Sequence, residues 1–244
     1  MANWSDPRSN ATVRATSVGT DAAAFDAGLR SYMLSVYNYM ASGVLLTGVV
    51  ALLFARSDAA PAILFGPGIL KYLIMFAPLG FVMVLSFGIN RLSTQAAQAI
   101  YWGYAAVMGL SLASIFFIYT GTSIAETFFA TAAAFAGLSL YGYTTKRDLS
   151  AFATFLVMGV VGLIIASLIN MFLHSGALQL VISFVGVLLF AGLTAYDTQR
   201  IKSMYYQVAG SDMIGKTVVM GALSLYLDFI NMFMFLLQFM GNRR

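Results

Sequence analysis

Cysteine is absent from the 244 residues, which excludes disulfides, a thiolate nucleophile and any cysteine-ligated metal site. Charge is scarce as well: charged residues make up 9% of the chain, against about 25% in a typical soluble domain. Histidine occurs once, at His174, and one histidine cannot build a metal site. The remaining composition, 60% hydrophobic, indicates an integral membrane protein.

Seven continuously apolar runs follow residue 29, each close to the roughly 20 apolar residues that cross a bilayer core. Unbroken apolar character favours helices, because barrel strands alternate apolar and polar residues. The runs cover residues 30–54, 71–90, 96–119, 126–143, 150–173, 178–197 (with an amphipathic extension to 206) and 216–240. We predict an all-α membrane protein in which residues 30–244 form one seven-helix domain and residues 1–29 a mobile polar cytoplasmic tail.

Two local patterns refine this prediction. In the third run, Ala105, Gly109 and Ala113 have the small-xxx-small spacing that lets helix backbones approach closely. Glu126 stands at the expected start of the fourth run, where an acid suits a helix amino terminus.

Basic residues indicate the orientation of the bundle. With the amino terminus in the cytoplasm, nine of the 13 Lys and Arg residues lie on the cytoplasmic side and four lie outside. The positive-inside rule favours this arrangement. The net charge of +4 is thus a topology signal, and we expect no nucleic-acid partner.

The last run carries a carboxylate near its middle, at Asp228. A charge at that depth costs about 2.5–3.5 kcal/mol on insertion scales, so it needs a polar partner or a function. At about 100° per residue, five small and polar residues fall within little more than a quarter-turn of one another on one side of this helix. They are Gly221, Ser224, Asp228, Asn231 and Gln238. This side should face protein or water.

The sixth run carries a second acid, Asp197, on a similar stripe with Thr194. If the two stripes face each other, the carboxylates form a polar seam through the bundle. Two carboxylates in a low-dielectric site cannot both ionise cheaply, so the pair can share a proton or bind a cation. Their oxygens suit hard cations such as Ca²⁺, which makes Asp197 and Asp228 candidate metal ligands.

Structural roles are the alternatives. Asp197 could pair with Arg200 or Lys202 near the interface, and Asp228 could hydrogen-bond another helix. An intramembrane aspartyl protease also uses two acids, but the flanks AYDTQ and YLDFIN lack a glycine-rich context. No nucleophile elbow, HExxH, P-loop or dinucleotide motif occurs. We therefore predict a protein that is not an enzyme and has no cofactor.

Several blocks resemble the transmembrane Bax inhibitor motif family, in its bacterial branch. They are PLGFVMVLSFGIN (78–90), LSLYGYTTKRDLS (138–150), FAGLTAYDTQRIKSMY (190–205) and ALSLYLDFINMFMFLLQFMG (222–241). The resemblance covers nearly everything after Arg30.

The resemblance implies a seven-helix fold of a bacterial inner membrane, with the last helix central and wrapped by the other six. It also implies a pH-sensitive Ca²⁺ leak gated by paired aspartates at the positions of Asp197 and Asp228. A basic partner from the second helix would correspond to Arg91. Supporting polar residues on the two stripes and beside them are Thr194, Arg200, Ser224 and Asn231.

Two functions follow from these expectations. The first is a passive cation leak whose partners are membrane lipids and Ca²⁺ or other cations. The second is a non-conducting protein that binds and modulates a membrane-bound AAA protease or another quality-control complex, with residues 1–28 as its contact.

Overall fold

A computed structural model describes residues 7–244, with side chains described from Phe25 onward. Within residues 7–244 the chain forms nine α-helices. They are α1 Pro7–Ala55, α2 Ala59–Phe65, α3 Leu70–Gly88, α4 Thr94–Leu112, α5 Ile115–Ile118, α6 Gly121–Thr144, α7 Ser150–Leu173, α8 Gly176–Val208 and α9 Ile214–Met240. Seven stretches in this part of the chain are long and apolar enough to cross a membrane, with α4 and α5 counted together. The all-α prediction with seven spans is confirmed, and the protein is a multi-pass membrane protein.

Residues 1–6 lie outside the described part of the chain, and residues 7–29 belong to α1, where the Phe25 ring lies 5.1 Å from the Tyr205 ring; the mobility predicted for residues 1–29 stays a prediction. The orientation in the membrane stays one too. Two details of the sequence analysis change. The connection after the first span contains the short helix α2, and the third span is interrupted between α4 and α5.

Side-chain caps set the start of three helices. Ser93, Thr120 and Ser175 each accept a hydrogen bond from the backbone N–H three residues further on, at the starts of α4, α6 and α8. Because Thr120 caps α6, this helix begins before Glu126, which lies exposed inside the helix. The prediction that Glu126 stands at a helix start is therefore wrong.

Helix α9 is the most enclosed of the seven spans. In its most apolar stretch 67% is buried inside the protein, against 11–33% in the other six spans. It packs against α8, α1, α6 and α4, while α3 packs on α4 and α7 on α8. That all six other spans surround α9 stays a prediction.

Both sides of α9 carry buried residues. The small, polar side buries Gly221 and Asp228. On the other side, the Tyr226 ring lies edge-on to the Tyr104 ring with centroids 5.1 Å apart, and Phe229 is equally enclosed. Tyr226 and Phe229 are thus packing groups, whereas Phe239 near the end of the helix is exposed.

The small residues of α4 allow α1 to approach closely, as the spacing predicts. A methyl group added to Gly109 would lie 2.7 Å from the Thr47 carbonyl oxygen, so only glycine fits there. The Thr47 hydroxyl bonds the Ala105 carbonyl oxygen at 2.8 Å and the Tyr226 hydroxyl at 2.6 Å. This buried hydroxyl therefore joins α1, α4 and α9.

Candidate functional site

Helices α8 and α9 pack side by side and run in opposite directions. A methyl group added to Gly221 would contact the Ile201 side chain, which fixes their register. Asp228 lies seven residues after Gly221 on α9, and Thr194 lies seven residues before Ile201 on α8. Because the helices are antiparallel, Asp228 and Thr194 lie at the same level. Asp197 follows Thr194 by three residues, so the two acids lie within about one helical turn of each other, ~5 Å along the axis.

Asp228 is enclosed by the bundle. Its side chain is 4% exposed, and its Oδ2 atom has no hydrogen-bond partner among the described residues. Buried polar atoms are rarely left without a partner, because the group then loses its hydration without compensation. The charge that acts on Asp228 is the carboxylate of Asp197. This enclosed, unpartnered oxygen is therefore available to carry a proton.

Asp197 lies at the more accessible end of this pair. Its side chain is half-buried, and Arg200, one turn further on α8, is exposed and attracts its charge. Lys202 turns away instead: its Nζ donates to the Tyr143 carbonyl oxygen at 2.8 Å and lies 4.7 Å from the centre of that ring. Of the two ion-pair alternatives, the structure favours Arg200 as the electrostatic neighbour.

Helix α6 supplies a third wall that the sequence analysis missed. Ser139 and Thr198 are buried, and the Thr198 hydroxyl donates to the Ser139 hydroxyl at 3.4 Å. Gly142 lets α6 touch the backbone of α8, because an added methyl group would collide with the Ala195 carbonyl oxygen. We call Ser139, Thr194, Asp197, Thr198 and Asp228 the acidic seam.

A signal for this wall does exist in the sequence. Ser123, Thr127, Thr131 and Ser139 recur at intervals of four or eight residues, which places them on one face of α6, and all four are buried. Their spacing shows a polar face but not the helix that the face meets.

The other predicted residues lie around the seam. Ser224 and Asn231 are half-buried on α9, and the Asn231 amide donates to the Leu227 carbonyl oxygen at 2.8 Å within its own helix. Arg91 lies exposed in the turn between α3 and α4. Its predicted role as a basic partner of the acids stays a prediction.

A second polar group lies beyond the seam, toward the far end of α9. The Gln179 amide donates to Gln238 at 2.8 Å and accepts from Asn170 at 3.0 Å, joining α8, α9 and α7. The Ser183 hydroxyl bonds the Gln179 carbonyl oxygen one turn nearer to the seam. We call Asn170, Gln179 and Gln238 the amide cluster. Polar groups therefore recur along the α8–α9 contact at both levels.

The capacity of the seam for a metal is limited. Among the described residues, no three His, Cys, Asp or Glu side chains come together as metal ligands. Resident Ca²⁺ sites take about 6–8 oxygen ligands. Two carboxylates with neighbouring hydroxyls supply fewer oxygen ligands than that.

Comparison with known proteins gives a consistent picture. The family model described as "Inhibitor of apoptosis-promoting Bax1" matches residues 29–244. An uncharacterized protein of Rickettsia prowazekii is 51% identical over 221 residues, which cover 90% of this chain and 93% of that protein. The inner membrane protein YbhL of Escherichia coli is 47% identical over 220 residues, covering 89% of this chain and 94% of YbhL. The family match includes all three helices of the acidic seam.

Proposed function

Because this chain belongs to the Bax inhibitor family, we propose that it is a passive cation leak of the bacterial inner membrane, with Ca²⁺ as the expected ion. The number of protons on Asp197 and Asp228 sets whether the path beside α9 is open. The carrying observation is that the two acids lie about one turn apart on adjacent helices, with the Oδ2 atom of Asp228 enclosed and unpartnered.

The proposed switch follows from Coulomb's law. With one proton between them, the two carboxyl groups can stay close and α8 can remain packed on α9. When both are ionised they repel each other, and the repulsion is strong because solvent is largely excluded. Arg200 attracts the negative charge of Asp197 and partly offsets it. The repulsion between the two acids therefore acts mainly against ionisation of the enclosed Asp228. Raising the pH thus favours the separated, conducting arrangement.

Calcium is the expected ion because the seam presents oxygen atoms to it. Carboxylates and hydroxyls are the ligands that hard cations prefer. Beyond the seam, Ser183 and the amide cluster continue the series of oxygen-bearing side chains along the same helix contact. The Phe190 and Phe235 rings, with centroids 5.8 Å apart, pack between these groups and the acids, so a route toward the far end of α9 requires the two rings to move.

No catalytic role is proposed for these residues. A passive leak needs neither a cofactor nor a covalent intermediate.

The test is Ca²⁺ flux into liposomes that contain the purified full chain and a Ca²⁺ indicator. We expect flux above that of protein-free liposomes, with a rise from acidic to alkaline pH. The double variant Asp197→Asn/Asp228→Asn should lose the pH dependence while Asp212→Asn, an exposed loop acid, keeps it. Equal pH dependence in the double variant would refute the gate.

If neither the wild type nor any variant conducts, the proposed leak is wrong. The non-conducting alternative, binding to a membrane-bound protease, then takes its place, and deletion of residues 1–28 should abolish that binding.

A further inference from the structure

A lateral groove separates α1 from α6. It has a volume of about 850 Å³ and is floored by Phe229 of α9. Its α1 wall runs from Arg30 to Leu45 and its α6 wall from Phe128 to Tyr143. This volume falls within the roughly 300–1,000 Å³ of small-molecule sites. The groove is therefore large enough to hold a ligand and is not a packing defect.

The groove continues across the bundle. A second cavity of about 270 Å³ shares Val44, Phe128 and Phe229 with it and extends to Ala51 on α1. From Arg30 to Ala51 the helix rises about 30 Å, the thickness of a bilayer core. The walls are mainly apolar side chains, and Leu34, Leu45 and Leu140 are more than half exposed along the rim. The groove thus opens sideways, toward lipid.

Charge is found at only one end of the groove. Among the side chains described from Phe25 onward, Arg30 is its only charged lining residue and lies exposed at this mouth; Tyr37 and Tyr143 also line the groove. Lys202 stands over the Tyr143 ring and uses one of its three donors on the Tyr143 carbonyl oxygen. Two cationic side chains therefore lie at one end of a long apolar groove. This arrangement is the one expected of a binding site for an anionic amphiphile.

We propose that this groove binds one anionic glycerophospholipid, with an acyl chain along α1 and α6 and the phosphate at Arg30 and Lys202. Guanidinium binds phosphate oxygens through two parallel N–H donors, and the ammonium adds a point charge. The tyrosine hydroxyls supply further hydrogen bonds at headgroup depth, where such rings favour the interface. A zwitterionic lipid offers the same chain but a weaker electrostatic match.

The site is tested by native mass spectrometry of the full chain, delipidated in detergent. It is titrated with phosphatidylglycerol and with phosphatidylcholine that carry identical acyl chains. Wild type should hold one lipid and prefer phosphatidylglycerol. Arg30→Gln should weaken phosphatidylglycerol binding about fivefold, because one basic side chain near the headgroups is removed, and it should weaken phosphatidylcholine binding less, because the choline cation already offsets the charge of that phosphate.

A second variant tests the channel itself. Ala136→Trp fills the groove from α6 and should weaken binding of both lipids, whereas Ala133→Trp lies on the same helix outside the lining and should not. Lys216→Gln is the charge control, since its neighbour Gly215 packs beside Thr94 on the α4 side of the bundle.

Each possible result supports or overturns the proposed lipid site. Equal binding of the two lipids with no effect of Arg30→Gln overturns the headgroup assignment. Wild-type lipid binding by Ala136→Trp overturns the groove site and would favour a helix of a partner protein as its occupant. Arg30 is exposed, so Arg30→Gln remains informative even if the tryptophan variant fails to fold.

Discussion

A double-mutant cycle on the two acids measures the proposed switch directly. The variants are Asp197→Asn, Asp228→Asn and the double variant, each of which keeps the size of the side chain and removes its charge. In the structure the acids lie about one turn apart, and Asp197 acts electrostatically on Asp228. The cycle isolates this interaction from the separate effects of each substitution.

The expected magnitude follows from the separation. At ~6 Å and an effective dielectric constant of about 20, two carboxylates repel by about 3 kcal/mol. If this repulsion is relieved on opening, it shifts the closed-to-open ratio about a hundredfold. Each single variant should remove nearly the whole shift, because one remaining charge has no partner to repel. The double variant should then differ little from either single variant.

The assay is initial Ca²⁺ flux in liposomes at stepped pH, with circular dichroism to verify that each variant folds. The coupling between the two sites should be near 3 kcal/mol at alkaline pH and vanish at acidic pH, where both groups carry protons. Additive effects of the two substitutions at every pH would refute the reasoning, since additivity means that the acids do not sense each other.

Three further predictions concern the packing around the seam. Because the chain has no cysteine, Ile201→Cys/Gly221→Cys places a single pair of thiols across the contact of α8 and α9. Oxidation to the disulfide should stop Ca²⁺ flux, and a reductant should restore it. Unchanged flux after verified disulfide formation would argue against separation of the two helices. Gly142→Leu should destabilise the fold by about 1–3 kcal/mol in thermal unfolding, since its side chain meets backbone, whereas Gly137→Leu faces open space and should be neutral. Thr47→Val should lower stability by about 1–3 kcal/mol, because it leaves a buried tyrosine hydroxyl and a carbonyl group without their partner; an unchanged melting temperature would contradict that role.

The membrane fold could be predicted because lipid imposes a simple rule on the sequence. Seven long apolar runs require seven helices, and the small residue Gly109 already marks a close helix contact. The acid Asp228 is conspicuous for the same reason, since a charge in an apolar run needs an explanation.

Other features depend on which helices meet, and one sequence does not contain that information. Ser139 and Thr198 are ordinary residues in their own helices and join the site only because α6 packs on α8. The aromatic side of α9 resembles a lipid-facing surface in sequence, yet Tyr226 and Phe229 are enclosed by neighbouring helices. The cap at Thr120 moves the start of α6 by a local hydrogen bond that apolar periodicity does not show.

Ser139 borders both the lateral groove and the acidic seam. On one side it lines the groove between α1 and α6, and on the other its hydroxyl bonds Thr198, next to Asp197. A guest molecule wedged beside α6 would therefore press on the same residue that borders the gate. Membrane composition and pH would then both change the rate of the leak. The pH dependence of the leak rate should therefore differ between lipid mixtures.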